Sequence, residues 1–181
     1  VHEIKKDYNL IVRGLYSSMK VNSENDGMSL DDILTILKSS LDASLPKGKR
    51  LSFNIQLEEN LYTQNHYLLL SIFRNLFNNA IEAADGNLVE LSVRQSSTDS
   101  SYVIEVEDHG PGIDPEDMEQ IFEPGFSTKI NYETGEVNRG LGLSLVKDFI
   151  EFRLGGTIRV TSVPGKTVFT LTIPKEKWSG L

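Results

Sequence analysis

Apolar positions recur along this chain at spacings that change several times, and each change marks a new element. From the start they fall at Val1, Ile4, Tyr8, Ile11 and Leu15, alternately three and four apart, which is the seam of a short coiled-coil or bundle helix running to about Lys20. A lone helix of that length is marginal in water, so it is expected to pack on another helix, in this chain or in a second copy. The polar VNSENDG stretch from Val21 then reads as a linker. Ser29 caps a helix to about Ser44, with Asp31 and Asp32 complementing the dipole in its first turn and Leu30, Ile33, Leu34, Leu37 and Leu41 on its buried side. Leu51 to Leu57 alternates as LSFNIQL and predicts a strand. A helix from near Thr63 to Asp85 follows, ended by the Asp85-Gly86 turn. Val89 to Val93 and Tyr102 to Val106 predict two strands joined into a hairpin by the Ser-rich SSTDSS. Pro115 to Ile121 predicts a short helix capped by Asp114. Gly140 to Arg153 predicts a longer one with Leu143, Val146, Ile150 and Leu154 inward and Gly155-Gly156 at its end. Thr157 to Ser162 and Thr167 to Ile173 predict two last strands around a Pro164-Gly165 turn. Strands and helices that mix without strict βαβ order point to an α/β two-layer sandwich with a mixed sheet. The expected organisation is a helix over residues 1–22, a linker over 23–28, one α/β domain over 29–176 and a tail over 177–181.

Composition narrows the function. A chain of 181 residues with 39% hydrophobic content can build one real core. Its formal charge of -8 and pI ≈ 4.9 argue against a general nucleic-acid or anionic-membrane surface, since both need basic footprints. Any anionic ligand must therefore be met locally. The absence of cysteine excludes disulfides and thiolate metal sites and fits a reducing compartment. No apolar run approaches the roughly 18 residues of a membrane span, and the N-terminus lacks a signal-peptide core. A soluble, cytoplasmic domain is expected, compatible with a membrane anchor elsewhere in a full-length protein.

The segment SIFRNLFNNAIEAAD, Ser71 to Asp85, carries polar residues where a plain core helix would not. On a helical period Ile72, Leu76, Asn79, Ala80 and Ala83 share a side, while Asn75, Asn79 and Glu82 stack at spacings of four and three. Asparagine prefers caps and turns, so three of them in mid-helix oppose local propensity. They read either as a polar face or as a Mg²⁺ and phosphate site, a carboxamide oxygen being a hard, neutral ligand that does not repel a polyphosphate. After the strand ending at Val106 comes EDHGPGI, Glu107 to Ile113. Its glycines allow a sharp turn and let a planar ligand lie close, and Asp108 is an acceptor suited to an exocyclic amine. As a bare D-x-G-x-G it also reads as a plain turn. RGLGLS, Arg139 to Ser144, opens a helix, so free N–H groups and the dipole face a phosphate, with Gly140 and Gly142 permitting close approach and Arg139 adding charge. Between them, FEPGFSTKINYETGEVN from Phe122 to Asn138 is long, polar and aperiodic, and reads as a nucleotide lid with Lys129 as a further phosphate partner.

In order and spacing, the Asn-rich helix, D-x-G-x-G, FEPGFSTK and RGLGLSLVK resemble the asparagine, first glycine, phenylalanine and second glycine boxes of sensor histidine kinases, over about Ser29 to Pro174. That family's ATP-binding domain has the Bergerat fold, shared with gyrase, mismatch-repair ATPases and anti-sigma-factor kinases, and GGTIRVTSVPGKTVFTLTIP resembles its closing hairpin. The resemblance implies ATP and Mg²⁺ as ligands. It implies that Asn75 and Asn79 handle phosphates and Mg²⁺, with Asn79 on the metal, and that Asp108 takes the adenine amine. Gly110, Gly112 and Ile113 would then shape the adenine pocket, Gly140, Leu141, Gly142 and Leu143 would flank the triphosphate, and Thr167 would complete the site. One departure is Lys166, which stands where the family often has the second Gly of G-x-G-T-x-F.

The hydrolytic relatives carry a Glu one helical turn before the metal-binding Asn, as general base for water. That position here is Asn75, so the domain is expected to hold ATP for transfer to a histidine and onward to a response-regulator aspartate. The alternatives are an anti-sigma-factor-type serine kinase and a non-catalytic, nucleotide-gated binding module. HEIKKD resembles the start of an H box, which would make His2 the phosphoacceptor and Glu3 its base. Spacing argues against it, because the helix, strand and central helix before Asn79 leave no room for a second hairpin helix. The first helix is therefore expected to be the second helix of a phosphoacceptor hairpin that dimerises. His66 and His109 have no partners at metal-ligand or triad spacing, and read as surface or pocket wall.

Overall fold

The structure, a computed structural model, describes residues 27–126, 129–130, 137–138 and 142–180. The predicted first helix, with His2 and Glu3, lies outside the described residues. In chain order the elements are β1 (Met28–Ser29), α1 (Leu30–Ser44), β2 (Arg50–Leu57), β3 (Tyr62–Thr63), α2 (His66–Ala83), β4 (Leu88–Ser97), β5 (Ser101–Asp108), β6 (Lys129–Ile130), β7 (Val137–Asn138), α3 (Gly142–Asp148, continued by a π-helical turn at Phe149–Arg153), β8 (Thr157–Val163), β9 (Lys166–Pro174) and α4 (Lys175–Trp178).

Alternation of apolar and polar residues builds the sheet, whose order is β2-β4-β5-β9-β8. β2 and β4 pair in parallel; the other three pairings are antiparallel. The sheet is therefore mixed, as expected. Val89, Leu91 and Val93 of β4, Ile104 and Val106 of β5, and Phe169, Leu171 and Ile173 of β9 point to one face and join the helices in a single core. The alternate residues, among them Glu90, Arg94, Glu105, Glu107 and Lys166, line the opposite, polar face. The helices cover only the apolar face, which makes a two-layer sandwich.

α1 begins as predicted, because the Ser29 hydroxyl accepts the Asp32 N–H at 3.1 Å. Its leucines and isoleucines are buried on α2 and the sheet. α2 starts at His66 instead of Thr63. Thr63 pairs with Met28 in the short β1–β3 ribbon, accepts the Asn65 N–H at 2.9 Å and donates to the Trp178 carbonyl. Within α2, Ile72, Leu76 and Ala80 are buried as expected, together with Phe73, Phe77 and Ile81, whereas Ala83 is exposed.

Five further expectations are corrected. β4 and β5 run through Ser96, Ser97 and Ser101, because Gln95 is buried and the turn closes only where Thr98 N donates to Ser101 O at 2.8 Å. Residues 114–126 form a chain of three-residue turns and no regular helix. Their bonds join Asp117 to Asp114, Gln120 to Asp117, Glu123 to Gln120 and Phe126 to Glu123, with Ile121 as the buried anchor. α3 widens into the π turn because Val146, Ile150 and Leu154, all buried, are each four apart. An α-helix would rotate each by about 40° off the core, and the i to i+5 bond from Leu154 N to Phe149 O takes up that drift. The segment read as a tail contributes α4, whose Trp178 is 3% exposed and packs edge-on against Tyr102 at 5.6 Å. Met28, read as linker, is also in the core.

Candidate functional site

β5 ends at Asp108, on the apolar face of the sheet and beside the C-terminal half of α2. Its side chain forms part of the wall of a cavity of about 330 Å³, with Ala80 of α2, the C-cap residue Ala84, Glu90 of β4, Gly110 and Gly165 among the other walls. Burial holds the Asp108 carboxyl above its ordinary pKa; the Gly110 N–H and His109 pull it back, and Glu107 adds to the rise. Asp108 Oδ1 accepts the Gly110 N–H at 3.0 Å. One carboxylate oxygen is thus anchored and the other is left for a donor.

The loop after Asp108 is strapped to the β8–β9 hairpin. Gly165 N donates to Gly110 O at 3.0 Å, and Ile113 N donates to Ser162 Oγ at 2.8 Å. Gly112 has φ +89°, and a Cβ there would lie 2.7 Å from Val163 O, so only glycine lets the loop reach the hairpin. Thr167 lies directly across from Asp108 in the β5–β9 register, is 4% exposed, and places its Oγ1 2.7 Å from Ser162 Oγ. Lys166 does not displace Thr167. It opens β9 on the polar face and sets its amine 3.5 Å from Glu107 Oε1.

Ser162 and Glu107 were missed in the sequence. Ser162 could have been found from the two-residue Pro164-Gly165 turn, which fixes Ser162 opposite Thr167. Glu107, with a side chain only 12% exposed, is held by Arg94 at 3.5 Å, Lys166 at 3.5 Å and His109 Nε2 at 3.0 Å. His109 also reaches Glu90 at 3.8 Å and lines the cavity. Beyond His109 two residues on, no local signal reveals Glu107, since its cationic partners Arg94 and Lys166 come from two other strands. His66 is the first residue of α2, and burial lowers its pKa.

The asparagine ridge stands where α2 meets α3. Asn75 Nδ2 donates to Ser71 O at 2.8 Å, one turn back, which leaves Oδ1 directed at α3. A Cβ on Gly142 would come 3.3 Å from that oxygen, a tight contact where the two helices close on each other. Asn78 and Asn79 are half-buried, and neither carboxamide has a partner among the described residues. Asn79 directly precedes Ala80 of the cavity wall, although neither Asn79 nor Thr167 lines that cavity. Ile113 and Leu143 pack against the core. Lys129 is in β6, opposite Asn138 of β7, so the stretch read as a lid contains a paired ribbon. Arg139, Gly140 and Leu141 lie outside the described residues. Among the described residues no group of three His, Cys, Asp or Glu could hold a metal, and no helix is long and apolar enough to cross a membrane.

Comparison with known proteins gives a consistent result. The family model described as histidine kinase-, DNA gyrase B-, and HSP90-like ATPase matches residues 65–177. GlnK of Bacillus subtilis, named a sensor histidine kinase, is 32% identical over 176 residues, which is 96% of this chain and 42% of GlnK. The sensor protein CitS of the same organism is 41% identical over 114 residues, 62% of this chain and 20% of its own length. The chain thus spans less than half the length of these curated relatives. Among solved structures, the catalytic domain of the histidine kinase ThkA in a nucleotide-free form superimposes with a TM-score of 0.67 at 26% identity, covering 83% of this chain and 96% of that one. The match extends over α2, Asp108 and its loop, and the closing hairpin, and with it the chain belongs to the histidine kinase-, DNA gyrase B-, and HSP90-like ATPase family.

Proposed function

We propose that this chain is the ATP-binding catalytic domain of a sensor histidine kinase, presenting the γ-phosphoryl group to a histidine on a helical hairpin, from which it passes to a response-regulator aspartate. The observation that carries this reading is the pairing of a half-anchored Asp108 carboxylate at a cavity with two carboxamide oxygens, one helical turn apart on α2, that have no partner among the described residues. Asp108 accepts the exocyclic amine of adenine, and Thr167 completes the base contact from the neighbouring strand. Asn79 fits Mg²⁺ by its donor chemistry, since a half-buried carboxamide without an internal partner offers a hard oxygen, and phosphate oxygens and waters supply the rest of an octahedral set. The ion would neutralise phosphate charge and align the transferring group. Asn75, tied back to Ser71, keeps its oxygen toward the phosphate end.

Asn75 also decides between transfer and hydrolysis. A carboxylate there would activate water; a carboxamide does not, so the phosphoryl group waits for an acceptor in line with it. No described feature favours the serine-kinase or non-catalytic alternatives. The test is incubation with labelled Mg·ATP, with and without the separately supplied phosphoacceptor hairpin of the full-length protein, which is expected to act as a homodimer. An acid-labile, alkali-stable label on the hairpin is expected, and none on the chain alone. A label on the chain that disappears in His2→Gln would make His2 the acceptor; ATP binding without any transfer would favour the binding module.

A further inference from the structure

One wall of the cavity beside Asp108 is made by the end of α2 and the turn after it, through Ala80, Ala84, Asp85 and Gly86. That end is electrostatically unfavourable on its own. The last four carbonyls of a helix have no full set of partners within it, and they carry the negative pole of its dipole. α2 has no basic residue in its last turn, and Glu82 and Asp85 add negative charge there. Ala84 N donates to Ala80 O at 3.1 Å, which satisfies one of these carbonyls. A cation reaches the end from another part of the chain. Lys49 Nζ donates to Ile81 O and to Ala84 O, each at 3.3 Å.

The turn between α1 and β2 places Lys49 for this. Its own N–H donates to Pro46 O at 3.1 Å, after Gly48, whose φ of +89° turns the chain back. Arg50 N donates to Asn87 O at 2.7 Å, where the parallel pairing of β2 with β4 begins. The turn is thus fixed to the segment that follows α2, and the Lys49 side chain ties the helix end to the same point. Lys49 itself does not line the cavity. We propose that Lys49 is a positioning residue for nucleotide binding, which holds Ala80 and Ala84 in the cavity wall by bonding the last carbonyls of α2. This rests on the ATP reading above. Without those bonds the helix end frays, and apparent affinity falls with the fraction of molecules whose wall is in place. Fraying acts at the base, so adenosine and ATP feel it alike, whereas a cation acting by charge on the phosphates would be felt by ATP alone.

The test is NMR titration of the full chain and its Lys49→Met and Lys49→Arg variants with adenosine and with Mg·ATP, below the melting transition of all three. Lys49→Met should weaken both ligands by the same factor, about fivefold, the worth of a typical net hydrogen bond. Lys49→Arg keeps the charge and the donors and should restore most of that loss. In the free Lys49→Met variant, amide exchange should quicken at Ala84, whose N–H closes the last turn. It should stay unchanged at Ile113, whose N–H is held by Ser162 on the other side of the cavity. Unchanged affinity in Lys49→Met, or a loss confined to ATP, would overturn the inference while leaving ATP binding intact. Failure of the wild-type chain to bind either ligand would overturn the nucleotide reading and this inference with it.

Discussion

Replacing Asp108 by Asn should move binding and stability in opposite directions. The substitution keeps shape and keeps an oxygen for the Gly110 N–H, bonded at 3.0 Å in the wild type. It removes a negative charge that burial opposes, as the raised Asp108 pKa records. A carboxylate whose folded pKa exceeds its unfolded value contributes stability that is fully present below the unfolded pKa and lost as pH rises through the folded one. At neutral pH the wild type therefore carries the cost of a buried charge, and Asp108→Asn relieves it. The free variant should melt at the same temperature as wild type or higher near pH 7. That advantage should vanish in acid, below the ordinary Asp pKa of about 3.9, where wild type is protonated too. For ATP the effect reverses. A hydrogen bond to a charged acceptor is worth about 1.5–3 kcal/mol, so its loss should raise Kd by roughly 10- to 150-fold. The amide's own NH₂ also opposes the base amine. Scanning calorimetry at several pH values and titration with Mg·ATP measure both halves. Undiminished affinity in Asp108→Asn, or a melting temperature that falls more at pH 7 than in acid, would refute the reasoning, as would equal binding of ATP and GTP by the wild type.

Asn79→Ala should abolish the Mg²⁺-dependent part of ATP affinity without loss of melting temperature, because the half-buried side chain has no partner among the described residues. Titrations with Mg²⁺ and with a chelator separate the two, and unchanged Mg·ATP affinity would contradict the metal assignment. Gly112→Ala should destabilise the domain by about 1–3 kcal/mol, the cost of an unsuitable backbone conformation. The added contact with Val163 O should also loosen the loop beside Asp108, visible as faster amide exchange at Ile113. Trp178→Ala should cost about 3–5 kcal/mol in chemical unfolding, as for a large core side chain; a change below 1 kcal/mol would mean that α4 is peripheral after all.

Periodicity and end chemistry were enough to determine the five long strands, α1 with its Ser29 cap, the body of α2 and the two-layer mixed-sheet class. Those signals are local: each depends on residues within a turn or two, or on alternation along one strand. The asparagine ridge and the Asp108 loop were visible for the same reason, since mid-helix asparagines and glycines after a strand contradict local propensity within a few residues. The tertiary structure decided what depends on distant partners. Thr63 leaves the helix because it bonds to Trp178 and pairs with Met28. Residues 114–126 make separate turns because a single buried anchor, Ile121, cannot sustain a helical face. The π turn in α3 answers to a core that demands residues four apart. Gly112 is glycine because the Val163 backbone arrives from elsewhere in the chain, and Gly142 meets Asn75 closely for the same reason. Lys166 is tolerated because Glu107 receives it. Ser162, an ordinary strand residue in the sequence, meets the Asp108 loop only when the hairpin folds back on it, because the Ile113 N–H that its hydroxyl accepts comes from a distant part of the chain.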